Sequence, residues 1–393
     1  MSGATLFLIA GEPSGDALGR ALMSALKEVS KDPIRFVGIG GEGMKAEGLE
    51  SLFPMSDLSV MGLVEVLPRI PRLLARIGET VSAIEETKPD AVITIDAPDF
   101  CFRVAAKIKA RGRMKSPLIH YVAPTVWAWR PGRARKIAPL FDHLMALFPF
   151  EPPYFERVGL KATFVGHPVV EGGMETGDGI GFRSAQAIAE DAPLLLVLPG
   201  SRRGEIRRLI PIFRETAARL AEKLPGVVSV IPTLEAISDL VEDETRDWPT
   251  PLRIVSGDEI KKDAFAASDA GLAASGTVAL ELAMAGVASV VGYRFNPLTA
   301  FIGNLLVKVD HMNLVNLVLG RRAVPEFRQD ECLPEKMAET LLTILTKDEL
   351  RHSQQADTRE AMKKLGLGGE RPSWRAARVV LDVIGNNKKD TKS

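Results

Sequence analysis

Short apolar runs alternate with amphipathic helical patterns along the first part of this 393-residue chain. The runs typical of strands are TLFLIA (5–10), RFVGIGG (35–41), AVITID (91–96), PLIHYVA (117–123), HLMALF (143–148) and ATFVGHP (162–168). Helical patterns between them cover 17–29, 102–111 and 133–141. A parallel strand is buried on both faces and is connected to its neighbour by a crossover helix. The alternation therefore predicts an α/β fold with a parallel sheet and helices on both faces.

The same pattern restarts after a Gly-rich link, VVEGGMETGDGIG (169–181). The second set of strand patterns is LLLVLPGSR (194–202), VVSVIPT (227–233), LRIVSG (252–257), DAGLAASG (269–276) and ASVVGYR (288–294), with a helix over 205–224. A chain of this length is too long to fold around a single hydrophobic core. We therefore expect two doubly wound, Rossmann-like domains facing each other across a cleft.

The expected boundaries follow from this restart of the pattern. The N-terminal domain covers 1–168, a hinge covers 169–190, and the C-terminal domain covers 191–350. The remaining segment, 351–393, is expected to form helices that pack back on the first domain or on a partner, followed by a polar tail.

The composition argues against a membrane-spanning or secreted protein. No run approaches 18 apolar residues, and the N-terminus lacks the basic leader of a signal peptide. Cys101 and Cys332 have no metal or redox spacing, which fits a reducing cytoplasm.

The net charge is zero, but basic residues are concentrated between Phe100 and Phe141, a span without Asp or Glu. The basic residues are Arg103, Lys107, Lys109, Arg111, Arg113, Lys115, Arg130, Arg133, Arg135 and Lys136. Such a stretch indicates an anionic partner or a solvated helix face balanced by acids elsewhere in the fold.

A second segment, VMGLVEVLPRIPRLLARI (60–77), mixes apolar side chains with arginines, and its prolines are expected to interrupt any regular helix. Candidate residues for contact with a membrane or with acyl chains are Val60, Met61, Leu63, Val64, Val66, Leu67, Arg69, Arg72 and Leu73. This pattern fits an interfacial segment on an anionic membrane, and it also fits a core helix with snorkelling arginines.

In open α/β sheets, ligands bind at the carboxyl ends of the strands, so the loops there hold the candidate site residues. GEPSGD (11–16) follows the first strand and contributes Glu12, Ser14, Gly15 and Asp16, with Ser14 or Asp16 as a helix cap. Its two acidic side chains favour recognition of hydroxyl groups over phosphate, and an ordinary strand-to-helix turn is the alternative.

Two loops of the second half have the features of a phosphate and ribose site. Their candidate residues are Gly200, Ser201 and Arg202 in LPGSRRGE (198–205), and Ser275, Gly276, Thr277 and Glu281 in AASGTVALE (273–281). An arginine neutralises a diphosphate, a helix N-terminus binds phosphate oxygens, and a glutamate one turn later can accept hydrogen bonds from a ribose. Exposed arginines and a simple helix cap are the alternatives.

VITIDAPDF (92–100) places two carboxylates, Asp96 and Asp99, directly after a buried strand. Burying a charge is costly unless the charge is paired or used. With an ordinary pKa of about 3.9, Asp96 is ionised at neutral pH and can accept a proton. Its alternative role is to cap the following helix.

These stretches together resemble the lipid-A-disaccharide synthase family, bacterial glycosyltransferases of the two-domain GT-B type. The resemblance is carried by AGEPSGD, VMGLVEVL, IDAPDF, HYVAPTVWAWR (120–130), LPGSR, ASGTVALE and VVGYR, in that order, and it extends to VPEFRQDE (324–331). It adds Tyr293 and Arg294 to the substrate-binding set. It also suggests Asn316 as a contact across the cleft, although HMNLVNLVLG (311–320) leaves open whether Asn313 takes this role.

The resemblance implies an inverting, metal-independent reaction without a cofactor. UDP-2,3-diacylglucosamine would donate its sugar to the 6-hydroxyl of 2,3-diacylglucosamine 1-phosphate (lipid X), giving a β-1,6-linked disaccharide 1-phosphate and UDP. Asp96 is the expected base, with Glu12, Asp16 and Asp99 as rivals.

The expected partners are these acylated sugars and an anionic membrane surface, without nucleic acid. The expected location is peripheral, on the cytoplasmic face of the inner membrane of a Gram-negative bacterium, with a homodimer possible. The alternatives are another GT-B UDP-sugar enzyme, such as a lipid-linked sugar transferase or a UDP-sugar 2-epimerase, and a non-catalytic UDP-binding protein of the membrane surface.

Overall fold

The chain divides into two compact units, each with its own parallel sheet, in a computed structural model that describes residues 3–58, 70–127, 132–294 and 311–390. The first unit comprises Met1–Pro168 and Gly369–Ser393, and the second comprises Val169–Gly368. The first unit is therefore assembled from two separate pieces of the sequence.

The described sheet of the first unit has seven strands in the order β3-β2-β1-β4-β5-β6-β7. The strands are β1 (Ala4–Ala10), β2 (Ile34–Ile39), β3 (Glu50–Ser51), β4 (Ala91–Ile95), β5 (Leu118–Tyr121), β6 (His143–Ala146) and β7 (Ala162–Phe164). The helices of its N-terminal piece are α1 (Pro13–Val29), α2 (Glu42–Ala46), α3 (Ile70–Thr87), α4 (Pro98–Arg111), α5 (Arg133–Ile137) and α6 (Pro152–Glu156).

The described sheet of the second unit has six strands in the equivalent order, β10-β9-β8-β11-β12-β13. The strands are β8 (Leu194–Leu198), β9 (Val228–Thr233), β10 (Leu252–Ser256), β11 (Ala270–Ala273), β12 (Ser289–Tyr293) and β13 (Glu326–Arg328). The helices are α7 (Gly179–Ala185), α8 (Arg203–Lys223), α9 (Ser238–Glu244), α10 (Asp258–Ala267), α11 (Val278–Met284), α12 (Leu314–Leu319), α13 (Pro334–Thr346) and α14 (Asp348–Leu365). The last helix of the chain, α15 (Pro372–Asp390), belongs to the first unit.

The central strands are apolar throughout because both of their faces are covered. All five residues of β4 and all five of β8 are buried. In both sheets the strand order reverses at the first strand, so right-handed crossovers place helices on opposite faces. The predicted α/β class with doubly wound parallel sheets is confirmed.

Prolines set the starts of two helices earlier than the hydrophobic pattern predicted. The helix expected at 17–29 contains Pro13 in its first turn, and the helix expected at 102–111 contains Pro98 there. Proline has a φ suited to a first helical turn, and its missing N–H costs nothing at that position. The cap expected at Ser14 or Asp16 is therefore wrong, because Glu12 occupies the N-cap position and both residues lie inside α1.

The segment expected to be a hinge, 169–190, belongs to the second unit. Its helix α7 packs against α10. Arg183 on α7 donates Nε and Nη2 to the Ala267 carbonyl at 3.1 and 2.8 Å, and its Nη2 is 2.9 Å from an oxygen of Asp269. Further hydrogen bonds to the carbonyls of Ala189 and Ala192 hold the following turn. These contacts attach the segment to the domain that follows it.

The expected block of C-terminal helices, 351–393, is divided between the units. Helix α14 packs against α11, α12 and α13 in the second unit, whereas α15 packs against α1 in the first. Ala376, Ala377 and Val380 of α15 are fully buried. Arg371 donates to Glu28 on α1 at 2.6 Å.

Among the described residues, no helix is both long enough and apolar enough to cross a membrane.

Arg183→Ala should lower the free energy of unfolding of the second unit by about 2–4 kcal/mol, because a mostly buried guanidinium with several carbonyl partners and a carboxylate is removed. Differential scanning calorimetry of the full chain measures the change. Arg246→Ala is the matched control, because Arg246 pairs with Asp243 at an exposed site and should shift the midpoint by less than about 2 °C. Equal shifts for both variants would contradict this role of Arg183.

Candidate functional site

Asp96 lies at the carboxyl edge of the first sheet, immediately after β4, in an uncommon backbone conformation. Asp96 has φ 50° and the next residue, Ala97, has φ 42° and ψ 56°, so two consecutive non-glycine residues are left-handed. The Asp96 N–H donates to the carbonyl of Tyr121 at 2.9 Å, which holds the turn against β5. Such conformations are costly and concentrate at functional sites, which supports a role for this turn.

The carboxylate of Asp96 is partly buried, and burial raises its pKa above the ordinary value, while a hydrogen bond from the Ala97 backbone opposes the shift. Within the described parts of the chain, no Lys, Arg or His forms an ion pair with it. A carboxylate whose pKa is raised in this way is a stronger base than a solvated one.

The first-strand loop lies directly beside this turn because β1 and β4 are paired neighbours. A Cβ on Gly11 would lie 2.8 Å from the Cβ of Ala97, so glycine permits this close approach. Glu12 follows in the half-buried N-cap position of α1, next to the Asp96 turn. Ser14 is exposed in the first turn of α1, and Gly15 is buried against the end of β4.

Asp16 has a structural role that sequence reasoning did not anticipate. Its Oδ1 accepts hydrogen bonds from the N–H groups of Gly41 and Met44 at 2.7 and 3.0 Å, and its Oδ2 accepts one from Gly43 at 2.8 Å. The carboxylate thereby caps α2. This geometry argues against Asp16 as a base, because its oxygens already accept three backbone hydrogen bonds.

Asp99 is exposed in the first turn of α4. A carboxylate there interacts favourably with the positive end of the helix dipole. Of the four candidate bases, Asp96 and Glu12 therefore have the more suitable surroundings.

The second unit contains a pocket of about 490 Å³ at the carboxyl ends of β8, β9 and β11. Both loops singled out in the sequence line it, through Gly200, Ser201 and Arg202 on one side and Ser275, Gly276, Thr277 and Glu281 on the other. Gly200 has φ 101° and Gly276 has φ 146°, conformations that other residues rarely adopt. The structure therefore brings together the two loops for which the sequence predicted a phosphate and ribose site.

Arg202 stands at the N-cap of the long helix α8 with its side chain 69% exposed. Its Nη1 lies 4.0 Å from Oε1 of Glu205, which also lines the pocket. The same Oε1 accepts a hydrogen bond from the Tyr293 hydroxyl at 2.9 Å. Burial and the neighbouring Glu205 carboxylate raise the pKa of Tyr293 to about 12, so the phenol remains a donor at neutral pH.

Tyr293 and Arg294, which were expected to contact substrate, do not line this pocket among the described residues. Tyr293 influences it through Glu205, as described above. Arg294 donates Nε to the Gln329 carbonyl at 3.3 Å and Nη2 to the Cys332 carbonyl at 3.5 Å. Tyr293 therefore supports the pocket through Glu205, whereas Arg294 is bonded to the segment that leads into α13.

Glu281 is paired with a lysine that the sequence analysis did not single out. Lys261 on α10 lies 2.9 Å from the Glu281 carboxylate on α11, and both residues line the pocket. Ser275 donates from Oγ to the Met312 carbonyl at 3.3 Å, whereas Thr277 is exposed and makes no capping hydrogen bond. The Glu281 and Thr277 side chains can therefore meet a ligand.

Asn316, expected as a contact across the cleft, is fully buried in the second unit. Its Oδ1 accepts from the N–H groups of Ala323 and Val324, each at 2.8 Å, and its Nδ2 donates to the Val324 carbonyl at 2.8 Å. Asn313 is equally buried and caps α12 through its Oδ1. Both asparagines fix the fold of the segment that leads to β13.

The membrane and acyl-chain candidates are described only in part. Val60, Met61, Leu63, Val64, Val66, Leu67 and Arg69 lie outside the described residues. Pro71 lies within α3, so it does not interrupt that helix. Arg72 is exposed and paired with Asp57 at 2.8 Å, and Leu73 is half-buried.

Part of the charge of the basic span 100–141 is paired within the first unit. Lys109 pairs with Asp142 at 3.0 Å and Arg111 with Glu85 at 2.8 Å, so acids outside the span balance part of its charge. Arg103, Lys107 and Lys115 are exposed.

Sequence reasoning missed Glu205 and Lys261 as pocket residues, as well as the apolar wall formed by Leu234 and Ile237 after β9. Glu205 ends the quoted loop LPGSRRGE, so its spacing from Gly200 was an available signal. Lys261 lies 20 positions before its partner on another helix, so no local pattern indicates their pairing. Within the ranges covered by the structure, no group of three or more His, Cys, Asp or Glu residues could hold a metal ion.

Comparisons with known proteins agree on a family. Residues 6–378 match the family model described as lipid-A-disaccharide synthetase. A lipid-A-disaccharide synthase from Rhodospirillum centenum is 52% identical over 379 residues, which cover 96% of this chain and 94% of the relative.

Solved structures share the fold at low sequence identity. A UDP-GlcNAc 2-epimerase from Neisseria meningitidis, bound to UDP-GlcNAc, aligns with a TM-score of 0.62 at 13% identity and covers 98% of this chain and 100% of its own. A calicheamicin glycosyltransferase aligns with a TM-score of 0.59 at 17% identity, with 98% and 99% covered. The expected GT-B fold is confirmed, and the family match over nearly the whole sequence identifies the chain as a glycosyltransferase of lipid A biosynthesis that belongs to the lipid-A-disaccharide synthase family.

Proposed function

We propose that this enzyme transfers the sugar of UDP-2,3-diacylglucosamine to the 6-hydroxyl of 2,3-diacylglucosamine 1-phosphate, with inversion at the anomeric carbon. The observation that carries the proposal is the pocket of about 490 Å³ in which the loops LPGSR and ASGTVALE meet. Membership of the lipid-A-disaccharide synthase family supports formation of the lipid A disaccharide.

The donor nucleotide would bind in this pocket, and each polar group there has a suitable function. Arg202 would form charge-assisted hydrogen bonds to the diphosphate, and the Ser275–Thr277 turn would contribute N–H and hydroxyl donors. Glu281 would accept hydrogen bonds from the ribose hydroxyls while Lys261 offsets its charge. Leu234 and Ile237 offer an apolar wall for the base.

Asp96 would act as the base on the acceptor. Its carboxylate takes the proton of the 6-hydroxyl as that oxygen attacks the anomeric carbon. The bond between this carbon and the diphosphate oxygen breaks, and UDP leaves with the electron pair. Arg202 and the N–H groups of its loop stabilise the charge that develops on the leaving diphosphate. The raised pKa of Asp96 favours this proton transfer.

The acylated substrates suggest peripheral association with an anionic membrane on the cytoplasmic face of the inner membrane. Ile70 and Leu74 are 39% and 53% exposed and lie four residues apart on α3, so they share one face. Arg72 is exposed on the same helix, and basic residues of the span 100–141 lie elsewhere in the same unit. Apolar and basic side chains in combination favour anionic lipid surfaces. A homodimer remains part of the proposal on family resemblance alone.

Asp96→Asn should reduce acceptor-dependent UDP release by at least ~100-fold while UDP binding stays unchanged, because the general base is lost and the second unit is untouched. The assay follows UDP release from the diacylated donor in detergent micelles with EDTA, with and without the acceptor. Asp99→Asn is the matched control and should stay within about threefold of wild type, because Asp99 is exposed in the first turn of α4.

The outcomes of this experiment separate the alternatives. A fully active Asp96→Asn variant would move the base to Glu12. A wild-type protein that binds UDP but releases none from this donor would reject the proposed substrates, and donor consumption without acceptor would favour an epimerase.

The rate should also fall as the pH decreases through the raised pKa of Asp96, because the protonated carboxyl cannot accept a proton. The dependence of kcat/KM on pH, measured for wild type and Asp99→Asn, should show this acidic limb in both proteins.

Arg202→Ala should weaken UDP binding by about tenfold, since a charge-assisted contact to the diphosphate is removed. Isothermal titration calorimetry with UDP measures the change. Arg203→Ala is the control because Arg203 is adjacent and exposed but does not line the pocket. Equal losses for the two variants would indicate a general charge effect and contradict a specific contact by Arg202.

Leu74→Glu should reduce binding to vesicles that contain anionic phospholipid by about threefold or more, because an exposed apolar contact becomes a like charge. Cosedimentation measures the bound fraction. Leu350→Glu is the matched control, since Leu350 is 48% exposed on α14 of the second unit. If Leu74→Glu and wild type bind equally, α3 is not part of the membrane-contacting face.

A further inference from the structure

Glu151 is a buried carboxylate of the first unit, and no cation among the described residues pairs with it. Only 2% of the residue is exposed, in the turn after β6. Its Oε2 accepts hydrogen bonds from the N–H groups of Leu147 and Phe148 at 3.1 and 3.0 Å, and its Oε1 accepts one from the indole Nε1 of Trp127 at 3.2 Å. Within the described residues, Glu151 forms no ion pair. Burial of an unpaired charge is expensive, so its retention indicates a function.

Through this carboxylate the turn after β6 holds the turn after β5. Trp127 ends the described part of HYVAPTVWAWR, one of the sequence pieces for which no other role has emerged. Its ring lies edge-on to Phe150 at 5.3 Å between centroids, and Phe150 stacks on Phe148 at 5.5 Å. Phe148 in turn meets His167, after β7, at 5.3 Å. The Trp127 indole therefore has a fixed orientation, and Glu151 is its hydrogen-bond acceptor.

The exit of β5 also supports the Asp96 turn. The Tyr121 carbonyl accepts the N–H of Asp96 at 2.9 Å, and the Val122 N–H donates to the Met145 carbonyl on β6 at 3.0 Å. Val122 has φ 82°, a strained value for a β-branched residue. A strained backbone conformation, such as that of Val122 at the end of β5, persists only if contacts on both sides hold it. The Glu151–Trp127 hydrogen bond provides one of these contacts.

We propose that Glu151 is a positioning residue for sugar transfer: its ionised carboxylate fixes the turn after β5 through Trp127 and so keeps the neighbouring Asp96 turn in its reactive geometry. This inference rests on the proposed role of Asp96. It assigns no contact with substrate to Glu151 itself.

The protonation state of Glu151 should control this contact. Three N–H donors converge on two carboxylate oxygens, and a protonated carboxyl would present an O–H donor towards one of them. Burial raises the pKa of Glu151 to about 7, although the three hydrogen bonds oppose the shift; no charged group in the described part of the chain contributes. The nearby titratable group is His167, whose pKa is lowered to about 4 by burial, so it stays neutral near pH 7. The ionised, Trp127-bound form therefore increases as the pH rises through about 7.

Two single variants and their combination test the proposal. In Glu151→Gln the amide oxygen can still accept the two backbone hydrogen bonds, but its NH₂ group then faces the indole N–H. Trp127→Phe keeps the carboxylate and removes only the indole donor. Each variant should lower kcat at pH 8 by about tenfold with UDP affinity within twofold, because a small displacement of a catalytic turn is enough for such a loss.

The double variant should lose no more than either single variant, because both changes break the same contact. Wild type should show an additional acidic limb in kcat near pH 7 that is absent from Glu151→Gln, while the limb from Asp96 persists. Glu85→Gln is the matched control in the same unit, since Glu85 pairs with Arg111 near the surface, and it should keep the wild-type kcat and pH profile.

Tryptophan fluorescence provides a readout that does not depend on activity. The difference between wild type and Trp127→Phe isolates the Trp127 emission, which should change near pH 7 and should not change in the Glu151→Gln background. If wild type releases no UDP, the transferase proposal fails, and a flat fluorescence titration would separately reject the contact between Glu151 and Trp127 as a proton-dependent one.

The proposal is overturned if Glu151→Gln retains kcat within twofold of wild type, if the losses of the two single variants multiply, or if the limb near pH 7 survives in Glu151→Gln. If Glu151→Gln does not fold, the kcat and pH profile of Trp127→Phe decide the question in the same way.

Discussion

The register of three parallel strands determines where the first unit can perform chemistry. Ala10 of β1 lies opposite Ile95 of β4, and Ile95 lies opposite Tyr121 of β5. The next residue of each strand therefore leaves the sheet at the same level, and the first-strand loop, the Asp96 turn and the strained exit of β5 become neighbours. A carboxylate at this edge is fixed by backbone hydrogen bonds on one side and by close packing against Gly11 on the other.

The second unit uses the same strand order for a different electrostatic task. Its pocket contains two carboxylates, Glu205 and Glu281, although we propose that it binds an anion. Each carboxylate has a partner that reduces its repulsion of a diphosphate: the Tyr293 hydroxyl and Arg202 for Glu205, and Lys261 for Glu281. Under the proposed function, these acids orient donors and hydroxyl groups in the pocket, while the start of α8 is the place for the phosphates.

The fold class and both site loops could be predicted from the sequence because their signals are local. Buried parallel strands are apolar without interruption, and the residues after them are Gly, Ser, Thr and acids, as in LPGSR and IDAPDF. The short strands β3 and β13 were missed because their residues are mostly polar, whereas the equally short β7 lies in the run ATFVGHP.

The roles of individual polar residues depend on tertiary contacts that no local pattern reveals. Asp16 and Asn316 are residue types that often occur in binding sites. Asp16 instead caps a helix 25 positions away, and Asn316 is buried and bonded to the loop that follows its own helix. Lys261 and Glu151, in contrast, were not singled out because nothing in the sequence around them indicates a site. Their partners come from other helices and strands, so their burial and pairing appear only once the sheets are assembled.

The helix α15 gives the first unit an unusual dependence on the end of the chain. It covers a face of α1, and Arg371 and Glu28, which are joined by a hydrogen bond, lie 343 positions apart in sequence. During synthesis, residues 1–168 leave the ribosome long before α15 is made. The apolar side of α1 is therefore not covered by α15 while the second unit is synthesised. The second unit is continuous and can complete its own fold first. Completion of the first unit therefore requires synthesis of α15, and a chain that terminates before α15 lacks the helix that covers α1 even though residues 1–168 have been translated.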